Sequence, residues 1–182
     1  MVDALTSRLL YEKAARIRLL LTDCDGVLTD GGVYYSERGE EMKRFSIRDG
    51  MGVERLRKLV QVEVGIITGE TSGAVQRRAE KLGIEELHLG VRDKVAVLAD
   101  ILARHALQPD QVAYLGDDAN DVAVMQRVGL AACPADALPC AHVVAAYVCR
   151  LPGGHGAFRE VAEFIIEAKG VSHATQTIHP HQ

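Results

Sequence analysis

Asp23 and Asp25 stand one residue apart where an apolar run ends, in the order Leu19-Leu20-Leu21-Thr22-Asp23-Cys24-Asp25-Gly26. Side chains of an extended chain alternate, so both carboxylates leave the backbone on one side, and Gly26 permits the sharp turn that follows. Two acids this close repel each other, and a hard divalent cation held by oxygen ligands relieves the repulsion. Further along, Thr68-Gly69 closes a second apolar run, Gly116-Asp117-Asp118-Ala119-Asn120-Asp121 closes a third, and Lys94 opens a helical segment. Each has an ordinary structural explanation when taken singly. Asp23 or Asp118 can cap a helix, Thr68-Gly69 can be a strand end, and Lys94 can be a solvated helix-start residue.

These groups need strands whose ends open on one edge. Apolar runs closed by polar or Gly residues read as buried parallel strands at the stretch ending in Thr22, at 62–68 and at 111–115, with shorter ones at 87–89 and 130–133. Helical spacing covers 4–15, 50–59, 72–82, 94 to about 105, and a segment ending near 128. Two β-prone runs around a polar, Gly-containing turn predict a hairpin at about 32–45. The alternation predicts an α/β fold, a parallel sheet with right-handed crossovers and helices on both faces. Ligands of such sheets sit beyond the carboxyl ends of the strands, so Asp23, Asp25, Thr68, Lys94, Asp117, Asp118 and Asp121 converge on one crevice. So many carboxylates together are destabilising unless compensated, and an oxygen-only shell without His or Cys at ligand spacing predicts Mg²⁺ rather than zinc.

The chain has 182 residues, which predicts one domain, at about 1–170, followed by a disordered polar tail at 171–182 that carries His173, His179 and His181. A formal net charge of -4 argues against a nucleic-acid partner bound through a broad basic surface. No stretch reaches transmembrane length, and Asp3, Arg8, Glu12 and Lys13 interrupt the first residues too often for a signal peptide. Cys24, Cys133, Cys140 and Cys149 form no CxxC pair and read as free thiols of a reducing, cytoplasmic compartment.

In order along the chain, Asp23-Cys24-Asp25-Gly26-Val27, Thr68, Lys94, and Gly116-Asp117-Asp118 with Asp121 resemble the four motifs of the haloacid dehalogenase (HAD) superfamily of phosphatases, over about residues 19–121. The resemblance implies a Rossmann-like HAD fold and an aspartyl-phosphate intermediate formed on Asp23. It implies Asp25 as general acid and then base, and Thr68 and Lys94 as ligands of the phosphoryl oxygens. Mg²⁺ would be held by Asp23, Asp117 and the backbone carbonyl of Asp25, with Asp118 and Asp121 supporting the metal or orienting Lys94. About thirty residues separate Asp30 from Val62, and the hairpin and a helix use them, which leaves no room for a cap domain.

Asp23 to Gly32, Phe45-Ser46-Ile47-Arg48-Asp49-Gly50, Ile67-Thr68-Gly69 and Gly153-Gly154-His155-Gly156-Ala157-Phe158-Arg159-Glu160 are similar to the capless tetrameric branch of that superfamily. The branch hydrolyses the 8- or 9-phosphates of 2-keto-3-deoxy sugar acids. In it hairpins pair the subunits, and a neighbour and the Gly-rich segment close each site. The resemblance therefore implies a homotetramer and a small-molecule sugar phosphate substrate. Such a substrate carries a carboxylate as well as a phosphate, and Arg48, Arg78, Lys81 and Arg159 are candidate partners for it. KDO 8-phosphate phosphatases usually carry Arg directly after Thr-Gly, whereas this chain has Glu70 after Thr68-Gly69. Glu70 with Arg78 and Lys81 is similar to the nonulosonate members, so KDN 9-phosphate or N-acetylneuraminate 9-phosphate is expected ahead of KDO 8-phosphate. A receiver-like signalling domain and a non-catalytic assembly module are rival readings of the same acids.

Overall fold

A computed structural model describes residues 4–171. Helix α1 (Ala4–Arg16) leads into β1 (Leu19–Thr22), and a hairpin follows, built from β2 (Val33–Ser36) and β3 (Gly39–Lys43). The chain then alternates through α2 (Ile47–Val60), β4 (Glu63–Ile67), α3 (Gly73–Leu82), β5 (Glu86–His88), α4 (Lys94–His105) and β6 (Val112–Leu115). It ends with α5 (Ala119–Met125), β7 (Leu130–Cys133), α6 (Pro139–Val144), β8 (Tyr147–Val148) and α7 (Ala157–Ala168).

Six strands form a parallel sheet in the order β5-β4-β1-β6-β7-β8, so β1 lies in the middle with β4 and β6 beside it. Thr22 pairs with Ile66 on one side and Leu115 on the other, which brings the three strand ends level. The alternation within β1 divides the core. Leu20 packs with α1, α2, α3 and α7, while Leu19 and Leu21 pack with α4, α5 and α6 on the other face.

Local chemistry sets the helix starts. Ser46 caps α2 by accepting from the Asp49 N–H, so that helix begins at Ile47, a turn earlier than its apolar spacing predicts. Ser72 caps α3, and Asp93 caps α4 by accepting from the Val95 and Ala96 N–H groups. The sheet extends beyond the strands expected from sequence, through β8, and α7 seals one face. Phe158, Val161, Ile165 and Ile166 on α7 are buried, each contributing on the order of 1.5–3 kcal/mol. Gly52 lets α2 approach α7 closely, since a methyl group there would lie 3.2 Å from the Phe158 ring.

The hairpin is a separate two-stranded sheet in which all four β2 residues are exposed, while Lys43 of β3 is buried. All four cysteines are free. Among the described residues no helix is long and apolar enough to cross a membrane. The expected tail, apart from Val171, and its histidines lie outside the described residues.

Candidate active site

The turn after β1 winds round one carbonyl. Cys24 C=O accepts from the N–H groups of Val27, Leu28 and Thr29 at 3.3, 2.9 and 3.0 Å, and the Asp23 N–H donates to Leu115 O at 2.9 Å. Gly26 takes φ +87°, and a Cβ there would run into the Asp117 carboxylate, so the position admits no side chain. The Gly-rich segment supports this turn from the same chain. The Gly154 N–H donates to Val27 O at 2.9 Å, and a Cβ on Gly153 would collide with Gly26 O. The expected role of that segment as a cover is thus joined by a structural one, as a brace for the turn that carries the acids.

Asp23, Asp117 and Asp121 each bring a carboxylate oxygen to a common point, all within 4.8 Å of one another. The fully buried Asp121 has both oxygens engaged. Oδ1 accepts from Lys94 Nζ at 2.6 Å and the Tyr114 hydroxyl at 2.8 Å; Oδ2 accepts from the N–H groups of Asp117 and Asp118 at 3.0 and 3.3 Å. Lys94 Nζ also lies 3.1 Å from Asp23 Oδ1, an ion pair without hydrogen-bond alignment, for that oxygen has no hydrogen-bond partner. Asp25 Oδ2 and Asp117 Oδ1 are likewise buried and unpartnered. Thr68 is buried at the end of β4, and its hydroxyl accepts from the Glu70 N–H at 3.2 Å. Asp118 is exposed and caps α5 through the Ala119 N–H, outside the buried cluster.

Burial, then the charges of Asp23, Asp121 and Asp118, push the Asp117 carboxyl up to about 7. Burial and Asp121 raise Asp23 to about 6, with Lys94 pulling the other way. Burial alone would lower the Lys94 ammonium, but Asp23 and Asp121 raise it above the usual lysine value. An all-oxygen cluster with orphaned buried oxygens and acids held off their ionised form fits a hard cation. Asp23 and Asp117 keep oxygens for it, whereas Asp121 has spent its own on Lys94, Tyr114 and the backbone.

Stability should report this directly. Carboxyls raised above an ordinary value of 3.8 bind protons in the folded chain that the unfolded chain releases. Their contribution is therefore present at low pH and lost as pH rises through about 6 to about 7. Metal-free protein is expected to melt at a higher temperature at pH 5.5 than at pH 8, and Mg²⁺ to stabilise it more at pH 8. Thermal melts with and without Mg²⁺ at both pH values check this, and an equal metal effect at the two would refute it.

The candidate substrate cations fare differently. The Arg78 guanidinium is drawn into packing, with Nη2 donating to Ser46 O at 2.8 Å over the Phe45 ring. Arg159 Nε pairs with Glu163 at 2.6 Å, and its N–H donates to Asp49 Oδ1 at 2.9 Å. Arg48 is exposed and, with His155 and Arg159, lines a cavity of about 1080 Å³ between α1, α7 and β8. That cavity touches none of Asp23, Asp25, Thr68, Lys94 or Asp117. Gly69, Glu70 and Lys81 are exposed.

Two residues were not anticipated from sequence. Tyr114, buried in β6, holds Asp121 through its hydroxyl, a role that an apolar strand pattern conceals. Lys43 has a fully buried side chain and places Nζ 2.6 Å from Asp25 Oδ1. A lysine in a polar hairpin strand reads as solvated, and nothing in its neighbours signals otherwise.

No protein-family model matches the chain. Its fold aligns over 91% of its length, and 90% of the other chain, with a Legionella pneumophila protein labelled as a hydrolase of HAD superfamily subfamily III A, at TM-score 0.87 and 35% identity. With the acids at the ends of β1 and β6, Thr68 after β4 and Lys94 opening α4, the chain is a HAD-superfamily phosphatase. The 3-deoxy-D-manno-octulosonate 8-phosphate phosphatase KdsC of Escherichia coli K12 is 45% identical over 158 residues, 87% of this chain and 84% of that one. The KDO 8-phosphate phosphatase of Moraxella catarrhalis, solved with magnesium ion, phosphate ion and KDO, matches at 34% identity and TM-score 0.85, covering 88% and 91% of the two chains. The chain belongs to the KdsC family of KDO 8-phosphate phosphatases, and its cofactor is Mg²⁺.

Proposed function

We propose that the chain hydrolyses the phosphate monoester of a 2-keto-3-deoxy sugar acid, KDO 8-phosphate, through a covalent intermediate on Asp23. The observation that carries this reading is the approach of carboxylate oxygens of Asp23, Asp117 and Asp121 to within 4.8 Å of one another beyond the ends of β1 and β6, with Lys94 Nζ 3.1 Å from Asp23 Oδ1. Asp23, Asp117 and the backbone carbonyl of Asp25 would hold the metal. When bound, Mg²⁺ supplies the positive charge that lets an anionic carboxylate approach an anionic phosphoryl group.

Asp23 forms a bond to phosphorus while the bond to the sugar oxygen breaks, and Asp25 gives its proton to that departing oxygen. Asp25 then takes a proton from the water that attacks the acyl phosphate, releasing phosphate and restoring Asp23. Lys94 and the Thr68 hydroxyl receive the phosphoryl oxygens, while Asp121 holds Lys94 at 2.6 Å in the correct place.

The eight-carbon substrate has the support of the named relatives. The nine-carbon acids expected from sequence keep one supporting observation, the exposed Glu70 beside Thr68, because Arg78 is committed to packing and Lys81 is exposed on α3. Phosphate release from KDO 8-phosphate and KDN 9-phosphate decides between them. The wild type is expected to favour the eight-carbon ester. Glu70→Arg is expected to widen that preference about tenfold, by removing a carboxylate that can accept hydrogen bonds from the additional hydroxyls of the nine-carbon acid. A wild-type preference for KDN 9-phosphate, lost on Glu70→Arg, would install the second reading.

A homotetramer is part of the proposal. Tyr34, Tyr35, Met42 and Ile47 are 58%, 70%, 60% and 81% exposed, an apolar strip along the hairpin and the start of α2 that a second subunit would cover. One domain at about 1–170 and a cytoplasmic location complete it, the free cysteines supporting the latter.

A further inference from the structure

Lys43 is the least expected member of the site. Its side chain is 0% exposed, yet it carries a charge, and the acids facing it are Asp25, 2.6 Å from Nζ, and Glu40 at 3.5 Å. Glu40 in turn accepts from the Ser72 hydroxyl, and Ser72 is the residue that caps α3. A continuous polar chain thus runs from the start of α3 through the hairpin to Asp25. It pins one Asp25 oxygen, Oδ1, which Thr29 Oγ1 also approaches at 3.5 Å. The other, Oδ2, is left buried and without a hydrogen-bond partner.

We propose that Lys43 is a positioning residue for Asp25: by fixing Oδ1 it presents Oδ2 to the departing oxygen of the substrate. Through Glu40 and Ser72 it ties that placement to the segment following Thr68-Gly69-Glu70. This role rests on the reading of Asp25 as the general acid. A buried ammonium is costly to keep for stability alone, and a hydrophobic residue of similar volume commonly serves as well. Retention of the charge is explained when the carboxylate it holds has work to do.

The test compares two leaving groups. Protonation matters for a sugar-acid phosphate, whose leaving group is an alkoxide, and little for p-nitrophenyl phosphate, whose phenolate departs unaided. The sugar-acid ester is whichever of KDO 8-phosphate and KDN 9-phosphate the wild type turns over faster. Asp25→Asn is expected to lower kcat/KM for that ester by about 100-fold or more and for the aryl ester far less. Lys43→Met is expected to show the same selectivity at smaller size, about tenfold on the sugar ester and under about threefold on the aryl ester. Lys43→Arg should recover part of the loss, and Lys43→Met should add nothing to Asp25→Asn on the sugar ester.

Lys43→Met leaves Glu40 without its cation, so Lys43→Met/Glu40→Gln, which removes both charges, is assayed beside it and must retain the leaving-group selectivity. Equal losses on the two esters, or no loss, with Asp25→Asn still selective, would overturn the role of Lys43 alone. An unselective Asp25→Asn would overturn the assignment of the acid itself.

Discussion

Asp23→Asn is expected to lower kcat by at least about 10⁴-fold while the protein remains folded, because an amide oxygen is no nucleophile toward phosphorus. The substitution keeps the shape of the side chain and removes one charge from a cluster that repels itself. Lys94 retains its closer partner, Asp121 at 2.6 Å, when the 3.1 Å pair with Asp23 is lost. The charge of Asp23 also helps to hold the Asp117 carboxyl up at about 7, second only to burial, so neutralising it relaxes Asp117. Metal-free Asp23→Asn should therefore melt no lower than the wild type at pH 8, with activity gone and stability kept. Phosphate release and thermal melts on the same preparation decide this, and turnover within tenfold of the wild type would remove Asp23 as nucleophile.

Asp121→Asn is expected to damage stability and turnover together. Four donors converge on its carboxylate: Lys94 Nζ, the Tyr114 hydroxyl and two backbone N–H groups. An asparagine offers one acceptor oxygen and turns an NH₂ group toward donors, leaving a buried ammonium poorly paired. Breaking a buried pair from one side costs about 3–5 kcal/mol, and relief of repulsion at Asp23 and Asp117 offsets part of it. That relief is the smaller effect, since burial is the leading cause of both raised carboxyls. A loss near 3 kcal/mol corresponds to a melting temperature lower by roughly 6–12 °C for a chain of this size. With Lys94 left to its longer, 3.1 Å pair with Asp23, kcat should fall by about 100-fold or more. Urea titration with saturating Mg²⁺, alongside phosphate release, measures both, and a variant as stable as the wild type would show that the buried network is dispensable.

Much of the fold was legible because the relevant signals are local. The apolar runs before Asp23, Thr68 and Asp117 are buried strands in the structure, since a strand covered on both faces needs little more than a short apolar stretch and a clear stop. β8 went unread because two residues make no pattern. For α7 a signal was present: Ala157, Phe158, Val161, Ala162, Ile165 and Ile166 recur at helical spacing and all are buried. The start of α2 was placed late because apolar spacing was followed and the Ser46 cap was not.

The sequence by itself determined which groups could do chemistry and at which ends of which strands they stand, because a carboxylate after an apolar run is fixed by its immediate neighbours. Tertiary structure alone decided which partner each charge took. It turned Arg78 toward Phe45 and Ser46, gave Arg159 to Glu163, spent Asp121 on Lys94 and Tyr114, and buried Lys43 against Asp25. Long cationic side chains reach several acids with similar energy in water, and only the packing of distant segments, by removing that water, makes one partner win.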